Sequence, residues 1–246
     1  MAGAALLGRL NWRVATIADV RPETARTKTL VLDVPEWPGH RGGQHVDIRL
    51  TAEDGYQAER SYSIASAPAA GMLELTVERI EDGEVSPYLI DEARRGDQFE
   101  LRGPIGGYFV WNSEPDGPVL LVGGGSGIVP LMSMIRQRAS DRDPVETRLL
   151  YSARSWDEVI YRQELAQRED DALSVVYTLT RAQPSGWTGY TRRVDRELLH
   201  DVAPGDLALV FVCGPTPFVE GAARALVELG HDPTRIKTER FGPSGG

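Results

Sequence analysis

The sequence predicts a two-domain β + α/β protein, an N-terminal antiparallel β-barrel followed by a doubly wound parallel sheet, divided at residues 1–113 and 114–246. Three observations predict it. From Arg13 to about Val110, short β-rich segments alternate with turn signals. After the polar Pro/Gly bridge EPDGP (114–118), strand-like and helix-like segments alternate instead, as a parallel sheet requires. The first of those later strands runs into VLLVGGGSGIVP (119–130), an apolar run, a glycine turn and an apolar-periodic segment, which is the order of a buried strand, a tight turn and a helix.

In chain order, strands are expected at 29–34, at 44–50 where Val46, Ile48 and Leu50 alternate, and at 61–65, 73–77 and 99–101. Pro35, Pro38-Gly39, Gly42-Gly43, Asp54-Gly55, Pro68 and Gly71 supply the turns. One helix over 87–95 interrupts the series, with Ser86 as N-cap and Pro87 at the first helical position. Beyond the bridge come a strand at 119–122 with a helix to about Ala139, and a strand at 148–151 with a helix from about Trp156. Next are a strand at 174–179 with a short helix near Asp195, a strand at 207–212 with a helix over 218–229, and a last strand at 236–238. Ser155 and Glu158 have capping-box spacing at the second of these helices.

Composition excludes several classes. The 246 residues are 41% hydrophobic and 26% charged, as in a globular protein with a full core. A formal charge of −9 argues against nucleic-acid binding, which needs a basic excess. Cys213 is the single cysteine, so neither an intrachain disulfide nor a cysteine-held iron–sulfur cluster can form within the chain. His40, His45, His200 and His231 lack metal-ligand spacing, and no metal is expected. The apolar stretch 4–7 is too short for a signal or membrane segment, so a cytoplasmic protein is expected, without a membrane.

Ligands of an open parallel sheet bind beyond the carboxyl ends of its strands. The unusual residues fall there strand after strand: Gly123 to Gly127, then Ser152 and Arg154, then Thr180 and Arg181, then Cys213-Gly214-Pro215, and finally Glu239 to Phe241. Gly124, Gly125, Ser126 and Gly127 suit an anion, because glycines let backbone N–H groups approach it and a helix N-terminus favours negative charge. The spacing is neither the G-x-G-x-x-G fingerprint nor the P-loop, and glycines needed only for close strand–helix packing are the alternative. Ser152 and Arg154 stand where a dinucleotide presents its adenosine ribose. A hydroxyl with a guanidinium suits a 2′-phosphate, so NADPH is preferred over NADH, with a solvated surface arginine as the alternative. In the first half, ERSYSI (59–64) places Arg60 and Tyr62 on one face of a strand and Ser61 and Ser63 on the other.

Arg60-x-Tyr62-Ser63, Gly83-x-Val85-Ser86, Gly103-Pro104-Ile105-Gly106, Gly124-Gly125-Ser126-Gly127-Ile128-x-Pro130 and Cys213-Gly214-Pro215 occur in this order over about 13–241. In this the chain resembles the ferredoxin-NADP reductase superfamily, and within it the reductase components that feed oxygenases, of the benzoate dioxygenase reductase type, without their iron–sulfur domain. The resemblance implies a flavin-binding barrel and a nucleotide-binding α/β domain. Arg60 would pair with the flavin pyrophosphate, Tyr62 would lie against the ring system and Ser63 would reach flavin N5. Val85 and Ser86 would also serve the pyrophosphate, which suits FAD better than FMN. Gly124 to Gly127 with Gly214 would hold the NADPH pyrophosphate. Ser152, Arg154, Thr180 and Arg181 would line the rest of that cofactor. Cys213 would sit near nicotinamide C4, and Phe241 would cover the flavin face, with Glu239 beside it. Ser63, Cys213 and Glu239 are thus the expected catalytic groups.

The implied activity is hydride transfer from NAD(P)H to FAD and single-electron transfer to a separate ferredoxin or oxygenase, in a monomer. Free flavin, a ferric chelate or a quinone are alternative acceptors, and a non-catalytic flavin-binding regulatory subunit is the rival from another class. Docking of an acidic ferredoxin would need a local basic patch, for which Arg94, Arg95 and Arg102 are candidates.

Overall fold

A computed structural model describes residues 10–112, 117–170 and 172–242. The stretch 4–7, most of the bridge at 114–118 and the tail 243–246 lie outside the described residues. No helix among the described residues is long and apolar enough to cross a membrane.

Six antiparallel strands form the first sheet, in the order β4-β3-β6-β1-β2-β5: β1 (Arg13–Thr24), β2 (Thr27–Asp33), β3 (His45–Thr51), β4 (Gln57–Ser63), β5 (Leu73–Glu78) and β6 (Gln98–Ile105). A bridge between Ile64, just past β4, and Leu75 of β5 brings the two edges together as a barrel. Leu30, Leu32, Val46, Ile48, Leu75 and Leu101 fill its interior. The longest strand, β1, has no counterpart in the sequence reading. Only Ala15 and Ile17 of its twelve residues are buried apolar positions, and a register shift between Ile17 and Asp19 breaks the alternation that would have revealed it.

The helix expected over 87–95 is corrected in extent and capping. It starts at Val85, as α1 (Val85–Pro87), continues as a π-helical turn over Tyr88–Glu92 and stops where Ala93 turns extended. Ser86 lies inside it and is not its N-cap, because the Ser86 hydroxyl accepts the Ile80 N–H at 3.1 Å.

The second sheet is parallel, in the order β11-β10-β7-β8-β9: β7 (Val119–Gly124), β8 (Thr147–Ser155), β9 (Leu173–Ala182), β10 (Leu209–Pro215) and β11 (Ile236–Phe241). From β7 the chain winds outward to β8 and β9, then returns to add β10 and β11 on the other side. The switch point of this doubly wound sheet therefore lies between β7 and β10. Helices α2 (Ile128–Asp141), α3 (Arg162–Arg168), α4 (Arg196–Val202) and α5 (Thr216–Glu228) cover it. Asp195 caps α4 by accepting the Leu198 N–H at 3.0 Å, as its side chain and place predict.

The capping box at Ser155 and Glu158 does not form. Trp156–Glu158 makes one 3-10 turn, Ser155 gives no side-chain cap, and α3 begins only at Arg162. Between them Val159, Ile160 and Tyr161 are buried in succession; a helix steps 100° per residue and turns adjacent side chains to different faces. Tyr161 adopts φ +58 to do so, a conformation a bulky side chain takes only when its surroundings enforce it.

Segments that follow the barrel strands join the core of the parallel sheet, while the barrel keeps its own. Ala65, Phe109 and Trp111, which follow the barrel strands, belong to the cluster that contains Leu131, Met134 and Phe211. Phe109 meets Phe211 edge-on at 5.3 Å, a favoured aromatic geometry.

Candidate functional site

The glycine turn lies at the switch point. Its glycines divide by what a side chain would meet. A Cβ on Gly127 would lie 2.1 Å from the Cys213 carbonyl oxygen, and one on Gly124 would lie 3.0 Å from the Phe218 ring. Gly214 is similarly closed, 2.7 Å from the same ring. Gly125, by contrast, has φ +56 and open space around it. Close packing therefore explains Gly124, Gly127 and Gly214, whereas Gly125 supplies a backbone turn with room beside it. The N-terminus of α2 follows, 14 residues long and with no side chain capping it. The Gly125–Gly127 turn that runs into it is also uncapped by any side chain, so the N–H groups at this end and the helix dipole leave a place for an anion, with half-buried Ser126 at its edge.

Across the switch point the register sets Cys213 of β10 between Gly123 of β7 and Glu239 of β11. From the barrel, Ser63 of β4 stands opposite His45 of β3. His45 Nδ1 lies 3.8 Å from Glu239 Oε1, so the two sheets bring Ser63, His45, Glu239 and Cys213 to one place. Glu239 Oε2 is buried and makes no hydrogen bond. Burial pushes the Glu239 carboxyl up to about 7, raises the Cys213 thiol well above its ordinary range, with the Glu239 charge adding to the rise, and lowers His45. The site thus holds its titratable groups uncharged or near balance. His45 was not among the expected site residues; no local motif marks it, and only strand pairing brings it to Ser63.

These shifts have a consequence for stability. A carboxylate whose folded pKa stands above its unfolded one binds more protons when folded, so its contribution is full below about 4.5 and is lost as pH rises through 7. Between pH 5 and 8 the protein without added cofactor is expected to lose up to about 3 kcal/mol relative to Glu239→Gln. Urea unfolding of both forms at the two pH values measures this. Parallel pH dependences would show that Glu239 titrates normally.

The barrel contributes a second wall. Arg60 pairs in register with Ile48 and Tyr62 with Val46, while Ser61 faces Asp47 and Ser63 faces His45, so the alternation read from the sequence holds. Tyr62 packs against the barrel core, and burial raises its hydroxyl pKa. Arg60 is 55% exposed. Its guanidinium donates to the Glu59 carbonyl at 2.7 Å and lies 3.6 Å from Glu84, which accepts the Tyr56 hydroxyl at 3.0 Å. Val85 and Ser86 are buried beside Glu84. The Ser86 hydroxyl, having accepted from Ile80, keeps its own proton to donate. Phe241, at the end of β11, is 36% exposed.

At the outer strands, Ser152 is half-buried and Arg154 exposed at the end of β8, while Thr180 and Arg181 stand at the end of β9. Thr180 donates to the Ala153 carbonyl at 3.3 Å, tying the two strand ends together. Among the described residues neither Arg154 nor Arg181 makes an ion pair. An aromatic group that the sequence reading did not single out stands on the same half: Trp156 meets Tyr177 at 5.2 Å and Trp187 at 5.3 Å. The glycine turn, the outer arginines and Cys213 all stand at the carboxyl ends of the parallel strands, while Arg60 and α1 lie on the barrel. This arrangement fits a dinucleotide along that edge and a second phosphate-bearing group against the barrel: Gly125 is open, two arginines make no ion pair among the described residues, and a buried carboxylate oxygen lacks a partner.

Of the suggested basic patch, Arg102 is engaged by Asp47 at 2.9 Å and Glu59 at 3.6 Å, with Trp12 stacked beneath it, while Arg94 and Arg95 are exposed just before β6.

Comparison with known proteins agrees with this geometry. Residues 15–110 match the model of the oxidoreductase FAD-binding domain, and residues 121–224 match that of the oxidoreductase NAD-binding domain. The glycine betaine monooxygenase reductase subunit of Pseudomonas aeruginosa is 33% identical over 89% of this chain and 61% of its own length. NADH oxidoreductase HCR of Escherichia coli is 30% identical over 94% of this chain and 68% of its own. Among solved structures, the FAD/NAD-binding domain of nitric oxide dioxygenase from Vibrio cholerae superposes with a TM-score of 0.84 at 26% identity, over 94% of this chain and 99% of that one. The chain spans about three-fifths of the length of the monooxygenase reductase subunits it matches.

Proposed function

Because the chain belongs to the FAD- and NAD-binding oxidoreductases of the ferredoxin reductase family, we propose that it takes hydride from NADPH onto a bound FAD and passes electrons singly to a separate iron–sulfur or haem protein, such as a ferredoxin or oxygenase. FAD, when bound, accepts two electrons as hydride and releases them one at a time. Every other task falls to the chain. Arg60, with the first-turn N–H groups of Val85 and Ser86, meets the flavin pyrophosphate. Tyr62 and Phe241 flank its ring system, and Ser63 faces N5. Gly124, Gly125, Ser126, Gly127 and Gly214 shape the seat of the NADPH pyrophosphate; Ser152, Arg154, Thr180 and Arg181 hold the remainder.

The observation that carries this reading is the meeting of Ser63 from one sheet with Glu239 and Cys213 from the other, bridged by His45. Hydride transfer needs donor and acceptor carbon and nitrogen held in near-attack geometry. A pocket of uncharged, partly dehydrated groups does that without competing for the cofactors' charges. Cys213, 1% exposed and kept as a neutral thiol, fills space beside the reacting carbon. Glu239, poised near neutrality, can hold or release a proton there.

Anaerobic titration tests the reading. The yellow protein is expected to bleach with NADPH at lower concentration than with NADH. A protein that bleaches with neither is a flavin-binding subunit without turnover. Arg154→Ala is expected to raise the NADPH concentration needed by about tenfold, since a charge-assisted bond to a phosphate is worth roughly 1.5–3 kcal/mol, and to leave NADH use within twofold. Equal losses for both nucleotides would refute recognition of the 2′-phosphate by Arg154.

A further inference from the structure

The loop from Trp156 to Tyr161, which continues the strand carrying Ser152 and Arg154, ends in a chain of hydrogen bonds on the barrel. Tyr161 is 3% exposed, and its hydroxyl bonds Thr76 of β5. Thr76 and Thr29 of β2 share a bond at 2.7 Å, and Thr29 donates to Glu23 of β1 at 2.7 Å. The directions are forced, because each hydroxyl carries one proton. Thr29 spends its proton on the carboxylate, so Thr76 donates to Thr29 and Tyr161 donates to Thr76. The chain starts on a residue of the loop after β8 and passes through three barrel strands.

Neighbouring contacts reinforce the seam. Arg136 of α2 lies over the Tyr161 ring at 5.1 Å and donates to the Ala65 carbonyl at 2.8 Å and to Glu74 at 2.9 Å. Ala65 is two residues past Ser63. Ser133 of α2 donates to the Ser66 carbonyl at 2.6 Å. The left-handed backbone of Tyr161 accompanies this turn of its ring onto Thr76.

We propose that Tyr161 and Glu23 are positioning residues for the nucleotide: the hydrogen-bonded chain between them ties the loop after β8 to the flavin-bearing barrel, so that the strand end carrying Ser152 and Arg154 is held where a nucleotide can bind beside the barrel. The inference rests on the nucleotide reading of those strand ends. It assigns a binding role to two residues that touch no ligand.

The test uses the FAD-loaded protein and three variants: Tyr161→Phe, Glu23→Ala and Glu23→Gln. NADP+ binding is followed by the flavin absorbance difference, alongside FAD content and the KM and kcat for NADPH with ferricyanide as acceptor. Tyr161→Phe and Glu23→Ala are each expected to weaken NADP+ about fivefold and to raise KM similarly, with kcat falling less than twofold and FAD retained. The double variant Tyr161→Phe/Glu23→Ala, made in addition to these three, should be no weaker than either single one, because one chain of hydrogen bonds is broken once. Glu23→Gln keeps an acceptor and should stay within twofold of wild type. If Tyr161→Phe fails to fold, the contrast between Glu23→Ala and Glu23→Gln decides. NADP+ affinity within twofold of wild type in Glu23→Ala and Tyr161→Phe, or fully additive losses, would overturn the inference alone. A wild-type protein that binds no NADP+ and is not bleached would overturn it together with the proposed function.

Discussion

Gly127→Ala is expected to destabilise the protein by about 3 kcal/mol, near the upper range of overpacking substitutions, and to abolish nucleotide binding. The added methyl would stand 2.1 Å from the Cys213 carbonyl oxygen, 2.5 Å from its carbonyl carbon and 2.8 Å from the Gly214 nitrogen. All three atoms are backbone, so no side chain can rotate away. The turn after β7 and the end of β10 would have to part by more than an ångström, at the switch point of the sheet. Backbone strain plays no part, since Gly127 has φ −62 and ψ −11. Gly125→Ala is the contrasting case. Its φ of +56 disfavours alanine by about 1 kcal/mol, but nothing stands in the way of the methyl, so that variant should fold. Thermal unfolding checks the pair: for a chain of this size, about 3 kcal/mol corresponds to a fall of roughly 6–12 °C in Tm. A Gly127→Ala protein as stable as Gly125→Ala would mean that β7 and β10 separate easily.

Arg60→Ala is expected to weaken FAD about 100-fold and to yield a colourless preparation, while changing the stability of the flavin-free protein by less than about 0.5 kcal/mol. The two expectations have one origin. Arg60 is more than half exposed, and its ion-pair partner Glu84 is 3.6 Å away and similarly exposed, so the pair contributes little to folding. A pyrophosphate excluded from water would gain far more from the same guanidinium, because charge-assisted bonds to phosphate are strong and an unpaired partner is costly. Recovery of FAD fluorescence on dilution measures the affinity directly. Arg60→Lys should fall between, keeping charge without the planar fork. Unchanged FAD affinity in Arg60→Ala would move the pyrophosphate elsewhere on the barrel.

The strand ends were the most legible part of the candidate site. Gly123 to Gly127, Ser152, Arg154, Thr180, Cys213 and Glu239 all lie close behind apolar runs, and in a parallel sheet such positions share one edge whatever the strand order. The local logic of turns and caps was less reliable. Asp195 caps its helix because its two oxygens divide the work: Oδ1 accepts the Leu198 N–H while Oδ2 takes the Arg192 guanidinium. Ser86 and Ser155 have equally suitable side chains, yet tertiary demands override them: the Ile80 N–H takes the first, and burial of Val159, Ile160 and Tyr161 delays the helix after the second. Strand β1 stayed hidden because a bulge and polar composition remove the period-two signal on which such readings depend.

By itself the sequence determined the two architectures, the order of their elements and the chemistry available at each strand end, because periodicity, glycine turns and residue type are local properties of the chain. Only the tertiary structure decided which of those chemistries meet. His45 joins Ser63 and Glu239 through cross-strand register and the packing of one sheet on the other. Gly127 owes its lack of a side chain to a backbone 86 positions later, and Tyr161 bonds Thr76, 85 positions earlier. Contacts at such separation follow from how the barrel packs against the parallel sheet, which no window of sequence contains.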